Sequence, residues 1–364
     1  MGTGLESTLT TTDARTDTEP LRMSDFDYEL PDERIAQHPV EPRDSARLLI
    51  VPRGAGNLQH GAFRDIEGLL NPGDLLVVNE TRVTALRLFG NRASGGALEV
   101  LLLRPAPERG GDAYEALVRP GRKIDVGDIL HFDSAGLTAT VLDRTPSAGR
   151  FLRFYAEDGN VAERLEQFGR VPLPPYITAP LENGERYQTV YARTPGSAAA
   201  PTAGLHFTPE LMARVSAKGV GIARVRLDVG LGTFRPIRGD DIREHEMHRE
   251  AFDVSPEAAD AVNRCDGRVI AVGTTSLRAL ETAVQSAGPG ERVCAVTGET
   301  QLFVYPGYRF RAVDGLITNF HQPHSTLLLL VAAFAGPDQM RAAYGAALAG
   351  GYRFLSFGDA MFAA

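Results

Sequence analysis

The chain has 364 residues, 43% of them hydrophobic and 23% charged, with a formal net charge of -8 and two cysteines 29 positions apart. This composition belongs to an ordinary globular protein long enough for two domains, and it excludes a disulfide-stapled scaffold, a zinc knuckle and a broadly basic nucleic-acid coat. The longest apolar run, Leu327 to Ala335, is far shorter than the roughly 20 residues that span a bilayer. A cytoplasmic protein away from membranes is therefore expected.

Met1 to Pro20 is threonine-rich and acidic, without the charged-then-apolar order of a signal peptide, and residues 1–23 are expected to form a disordered leader. Met23 is an alternative start for the structured part. A proline-bounded short helix before His38-Pro39 leads to the strand Leu48 to Val51. From Asn71 to Phe154 the text is broken by turn signals such as Asn71-Pro72-Gly73-Asp74 and Val126-Gly127-Asp128, with short apolar runs between them. Leu75 to Val78, Leu98 to Leu103, Ile129 to Phe132 and Phe151 to Phe154 read as strands of a small antiparallel β-barrel over 72–155.

Glu157 to Gly169 has the period of a helix, and strands then alternate with helices. Pro209 to Lys218, Leu277 to Gln285, Ser325 to Phe334 and Asp338 to Ala349 are the helices. Val220 to Val229, Arg268 to Val272, Ile317 to Phe320 and Arg353 to Ser356 are the strands. The expected fold class is α/β: a mixed-sheet α/β core domain, 24–71 and 156–364, interrupted by the inserted barrel.

Four stretches carry chemistry. Pro201 to Thr208 places a glycine, a histidine and two hydroxyls before a helix, which suits either a turn that caps the helix or a ligand site. Gly273-Thr274-Thr275-Ser276, between a strand and a helix, is either an N-cap or an anion site built from free amides and hydroxyls. His245-Glu246-Met247-His248 puts two histidines three apart, on one face if the segment is helical. That spacing is not the protease zinc motif, and no metal site is expected. Asn319 to Thr326 is a second polar, histidine-containing turn feeding an apolar helix.

Asp228-Val229-Gly230-Leu231-Gly232-Thr233 has the look of a methyltransferase nucleotide loop, with Asp253 about where a ribose-binding acid would stand. Pro236 and the charge cluster that follows oppose that reading, because a packed crossover helix should lie there.

Taken in order, Arg43 to Leu49, Asn79-Glu80-Thr81-Arg82-Val83, Pro172 to Ile177, Glu185 to Tyr191, Ala200 to Thr208, Val229 to Phe234, His245 to His248, Val272 to Arg278, Tyr305 to Phe310, Ile317 to His321 and Tyr352 to Met361 resemble the S-adenosylmethionine:tRNA ribosyltransferase-isomerase family of queuosine biosynthesis. Three departures stand out: Asp228 where the family usually has histidine, His324 where lysine is common, and Ala97 in place of a basic residue.

The resemblance implies transfer of the ribosyl part of S-adenosylmethionine to 7-aminomethyl-7-deazaguanine at the tRNA wobble position. Isomerisation to epoxyqueuosine follows, with release of adenine and methionine. Such chemistry needs a base, an acid and hydrogen-bond donors, and it needs no metal. His206, His245, His248 and His321 are the candidate proton carriers. Thr202, Gly204, Thr208, Gly230, Gly232, Thr233, Thr274, Thr275 and Ser276 are expected to hold S-adenosylmethionine as co-substrate, and Asn79, Arg82, Arg278 and Asn319 to contact the tRNA substrate. A monomer is expected. The alternatives are an S-adenosylmethionine-dependent methyltransferase and a non-catalytic RNA-binding paralogue.

Overall fold

The computed structural model describes residues 21–54, 56–146, 148–230, 237 and 239–364. The expected leader lies outside the described residues up to position 20, whereas Met23 is 1% exposed and packs into the main core. Gly232 and Thr233, both expected site residues, also lie outside the described residues.

The first segment supplies β1 (Arg47–Val51), β2 (Gln59–Ala62), α1 (Ile66–Leu69), β3 (Leu75–Asn79) and β4 (Thr81–Val83). Six strands then form a closed antiparallel barrel: β5 (Leu86–Arg92), β6 (Ala97–Pro105), β7 (Ala113–Arg119), β8 (Ile129–Phe132), β9 (Leu137–Arg144) and β10 (Arg150–Ala156). After α2 (Val161–Phe168) and β11 (Thr194–Ser197) come α3 (Pro209–Ala217), β12 (Gly221–Leu227), β13 (Glu250–Val254), α4 (Pro256–Asn263), β14 (Val269–Val272) and α5 (Thr274–Ala283). The chain ends with β15 (Val296–Thr300), β16 (Gly315–Asn319), α6 (Thr326–Ala335), α7 (Pro337–Ala349) and β17 (Ala360–Ala363).

Nine strands make one mixed sheet in the order β15-β13-β12-β3-β14-β16-β17-β1-β2. Its centre, β12-β3-β14-β16, is parallel, and both flanks carry antiparallel pairs. Alternate side chains of β3 feed different cores. Leu75 and Val77 pack with α4, α5 and α6, whereas Leu76 and Val78 pack with α1 and α3. A strand buried on both faces reads as an unbroken apolar run, which is how Leu75-Leu76-Val77-Val78 is written.

That run corrects the expected barrel extent. The barrel strands run from Leu86 to Ala156, and β3 belongs to the centre of the large sheet. The expected last strand also moves. Arg353 to Ser356 is a turn with Leu355 at φ 70°, a left-handed conformation that no regular strand contains. The strand is Ala360–Ala363, inserted between β16 and β1 with Phe362 opposite Ile317 and Met361 opposite Leu49.

Candidate active site

In parallel sheets, ligands bind beyond the carboxyl ends of the strands. Here β14 and β16 end side by side, and a cleft opens where they stop. Thr202 and Ala203 form one wall, Thr274 and Thr275 a second, Asn319 and His321 a third, and Tyr176 and Ser356 close it.

Each wall has a local cause. Gly273 adopts φ +91°, which turns the chain from β14 directly into α5 and leaves the first amides of that helix without intrahelical acceptors. The Ser325 hydroxyl accepts the Leu328 amide at 3.2 Å and starts α6, so a second helix N-terminus faces the same cleft. Two such termini favour a negative group. Thr275 Oγ1 and Asn319 Oδ1 are buried in the lining and have no hydrogen-bond partner among the described residues, an arrangement that costs free energy unless a ligand or water answers them.

His321 is held on three sides. Its ring Nε2 lies 2.8 Å from Thr318 Oγ1, its amide donates to the Tyr344 hydroxyl at 3.0 Å, and its carbonyl accepts from the Tyr28 hydroxyl. Burial pushes its pKa down to about 3, so the imidazole is neutral at physiological pH. Tyr176 Oη is 2.7 Å from Ser356 Oγ, and burial raises the phenol to about 12, which keeps it protonated.

His206 faces a second, smaller cavity of about 260 Å³ with Arg43, Arg186 and Ser356. Its ring stacks on Phe63 at a centroid distance of 4.9 Å, and its Nε2 has no hydrogen-bond partner among the described residues. Burial lowers its pKa to about 4; the Asp359 carboxylate and the Asn319 side chain oppose that shift, and the Arg353 and Arg43 guanidiniums add to it. Ser356 lines both cavities.

A groove of about 2030 Å³ runs between the barrel and the core, lined by Arg82, Arg87, Arg170 and the 55% exposed Phe89 among others. Arg82 pairs with Glu185 there.

Thr202, Thr274, Thr275, Asn319 and His321 thus meet in one cleft, and Arg82 is open to the groove. The other candidates stand elsewhere. Gly204 is required by packing, since a Cβ on it would come within 2.0 Å of Tyr191 Oη. Thr208 caps α3 by accepting the Leu211 amide at 3.1 Å. The Ser276 hydroxyl is turned back onto the Val272 carbonyl at 2.9 Å. Asn79, expected at the barrel edge, is 0% exposed and ties β3 to β12 through the Leu227 amide and carbonyl. Arg278 is also buried and pairs with Glu250, whose pKa is held down to about 2 against burial by His248 and Arg278.

Glu250 also accepts the Gly230 amide at 3.0 Å and lies 3.2 Å from His248 Nε2. The helical face expected for His245 and His248 is not formed, because only Ile242–Glu244 is helical, as one 3-10 turn. His245 packs against Phe303, and neither histidine lines the cleft. Sequence reasoning left Tyr176, Ser356 and Ser325 out of the site. Tyr176 and Ser356 stand inside motifs already singled out, but nothing local tells which member of a motif points inward.

The methyltransferase reading fails on topology. β12 pairs directly and antiparallel with β13, Leu227 opposite Phe252, whereas a nucleotide loop of that kind joins parallel strands. Asp253 accepts from Thr297 across the β13–β15 pair. Of the three departures, Asp228 accepts from Thr81 Oγ1 at 2.8 Å and pairs with Arg226, and His324 lies 3.0 Å from Asp27. Ala97 is exposed at the start of β6. Among the described residues there is no group of three or more His, Cys, Asp or Glu side chains placed to hold a metal, and no helix long and apolar enough to cross a membrane.

Comparison with known proteins points one way. The family model described as queuosine biosynthesis protein matches residues 23–363. An S-adenosylmethionine:tRNA ribosyltransferase-isomerase of Symbiobacterium thermophilum is 54% identical over 348 residues, covering 94% of this chain and 99% of the relative. One of the same name from Moorella thermoacetica is 52% identical over 345 residues, with the same coverage of both chains. A crystal structure of S-adenosylmethionine tRNA ribosyltransferase from Thermotoga maritima aligns with a TM-score of 0.53 at 38% identity, over 93% of this chain and all of that one.

Proposed function

The chain belongs to the queuosine biosynthesis protein family and is an S-adenosylmethionine:tRNA ribosyltransferase-isomerase, and on that premise we propose that the cleft beyond β14 and β16 binds S-adenosylmethionine while the groove beside the barrel receives the tRNA. The observation that carries the proposal is the meeting of Thr202, Thr274, Thr275, Asn319 and His321, from three separated segments, in one cleft.

The residues present fit this ligand. The free amides and hydroxyls at the start of α5 suit the methionine carboxylate. The unpartnered Asn319 Oδ1 and Thr275 Oγ1 suit ribose hydroxyls. When bound, S-adenosylmethionine supplies the ribosyl group and a sulfonium that acidifies the hydrogen on the neighbouring carbon.

His321, the one histidine lining the cleft among the described residues, takes up that proton. Tyr176, protonated and backed by Ser356, gives a proton to the departing adenine. Asn319 and Thr202 fix the ribose while the aminomethyl group of 7-aminomethyl-7-deazaguanine at the wobble position is brought in from the tRNA. Methionine and adenine leave, and an epoxycyclopentanediol remains on the base. Arg82 contacts the RNA backbone from the groove, and the protein acts in the cytoplasm as a monomer.

Incubation with tRNA carrying the precursor base and with S-adenosylmethionine releases adenine and methionine. A verified substrate from which no adenine is released, or from which S-adenosylhomocysteine is formed, contradicts the assignment.

A further inference from the structure

Two guanidiniums, Arg43 from the segment before β1 and Arg186 from the Gly184–Tyr187 turn, share the walls of the smaller cavity beside the cleft, and no carboxylate lines it. Arg43 is anchored to the Gln188 carbonyl at 2.6 Å and the Glu185 carbonyl at 3.0 Å, so its charge is fixed in place. Arg186 is 18% exposed and donates to the Val40 carbonyl at 2.8 Å. Its carboxylate partner, Glu41, is 74% exposed and stands outside the lining.

Ser356 and His206 also line the cavity, and His206 is 4% exposed with an Nε2 that has no hydrogen-bond partner among the described residues. The two guanidiniums suit an oxyanion. The cavity is much smaller than the cleft, so one group of a larger ligand fits it better than a complete metabolite.

The position selects the ligand. Glu185 and Gln188, whose carbonyls anchor Arg43, also line the large groove beside the barrel, so the cavity lies directly behind one wall of the groove. Ser356 joins the cavity to the cleft on its other side.

We propose that the Arg43–Arg186–His206 cavity is a phosphate subsite that takes one backbone phosphate of the substrate RNA next to the modified nucleotide. This rests on the tRNA reading of the groove. The subsite registers the strand so that the base enters the cleft between Ser356 and His321, and it carries no chemistry of its own.

The test is the affinity of a precursor-bearing anticodon stem-loop at salt concentrations from about 50 to 200 mM, for the wild type and three variants. Arg186→Gln weakens RNA binding about tenfold and lowers the salt slope by about 1, with S-adenosylmethionine affinity unchanged. Arg186→Lys restores the slope, which separates charge from folding. Glu41→Gln, at an exposed position, removes the competing carboxylate and tightens RNA binding; a merely structural Arg186 would show no such gain.

A fall in S-adenosylmethionine affinity with an unchanged RNA slope overturns the proposal in favour of a carboxylate site. Stabilisation by inorganic phosphate that Arg186→Gln abolishes, without effect on RNA, overturns it in favour of free phosphate. An unchanged RNA slope in Arg186→Gln overturns it outright. Wild-type protein that binds the stem-loop with the expected slope yet releases no adenine defeats the transferase assignment and leaves the subsite standing.

Discussion

Ser356 stands between the cleft and the smaller cavity, with its hydroxyl 2.7 Å from that of Tyr176. The turn that carries it is held by strain and by hydrogen bonds at once. Leu355 adopts φ 70° while its amide donates to the Phe320 carbonyl at 3.1 Å and its carbonyl accepts from Asn319 Nδ2 at 2.9 Å. Asn319 therefore both lines the cleft and fixes the residue before Ser356. A strained residue kept in place by its surroundings at a cleft is a common mark of a working site.

Tyr176→Phe keeps the ring and removes only the hydroxyl. Loss of one hydrogen bond costs about 0.5–1.5 kcal/mol of stability, a small shift in a thermal melt. Loss of a general acid costs about 100-fold or more in adenine release. Both are read on the same preparation, and a variant with full activity removes Tyr176 from the mechanism.

The histidines separate by position. His321→Ala depresses adenine release about 100-fold or more, and the accompanying loss of packing and of the Thr318 contact costs on the order of 2 kcal/mol in denaturant unfolding. His245→Ala, remote from the cleft lining, leaves turnover within about threefold, well under the contribution of a proton carrier. Equal losses in the two variants would contradict the assignment of the base.

His206 and His321 make the fold acid-sensitive above the range where carboxylates act. Their native pKa values are about 4 and about 3, both below the free value of 6.5, because burial disfavours the cation. Below pH 6.5 the unfolded chain binds protons that the native state refuses, so their contribution is complete above pH 6.5 and is lost as pH falls toward 4 and then 3. Each contributes a slope of up to about 1.4 kcal/mol per pH unit. Urea titrations between pH 7 and pH 4 should show this slope, and a His206→Gln, His321→Gln double variant should flatten it.

The Arg278–Glu250 pair is structural. Both side chains are nearly inaccessible, 4% and 1% exposed, and Glu250 also receives the Gly230 amide. Removing one partner of a buried pair leaves an uncompensated charge and costs about 3–5 kcal/mol. Arg278→Ala and Glu250→Gln should therefore lower the thermal midpoint strongly. If Arg278→Ala melts like the wild type but loses RNA affinity, Arg278 is a substrate contact after all.

Features that depend on neighbours along the chain were legible before folding. Family membership followed from ordered motifs, and α3 and α6 start where Thr208 and Ser325 cap an apolar period. The turn from β14 into α5 was readable because Gly273 is followed directly by Thr274, Thr275 and Ser276. Which members of those motifs line the cleft depends on packing between distant segments. Asn79 is buried because its side chain meets Leu227, 148 positions away. His206 lines the arginine cavity and not the cleft beyond β14 and β16, because residues as distant as Arg43 and Ser356 close around it. Residue type sets what a side chain can do, whereas its burial, partners and proton affinity are set by strand order and packing between distant segments, which local patterns do not encode.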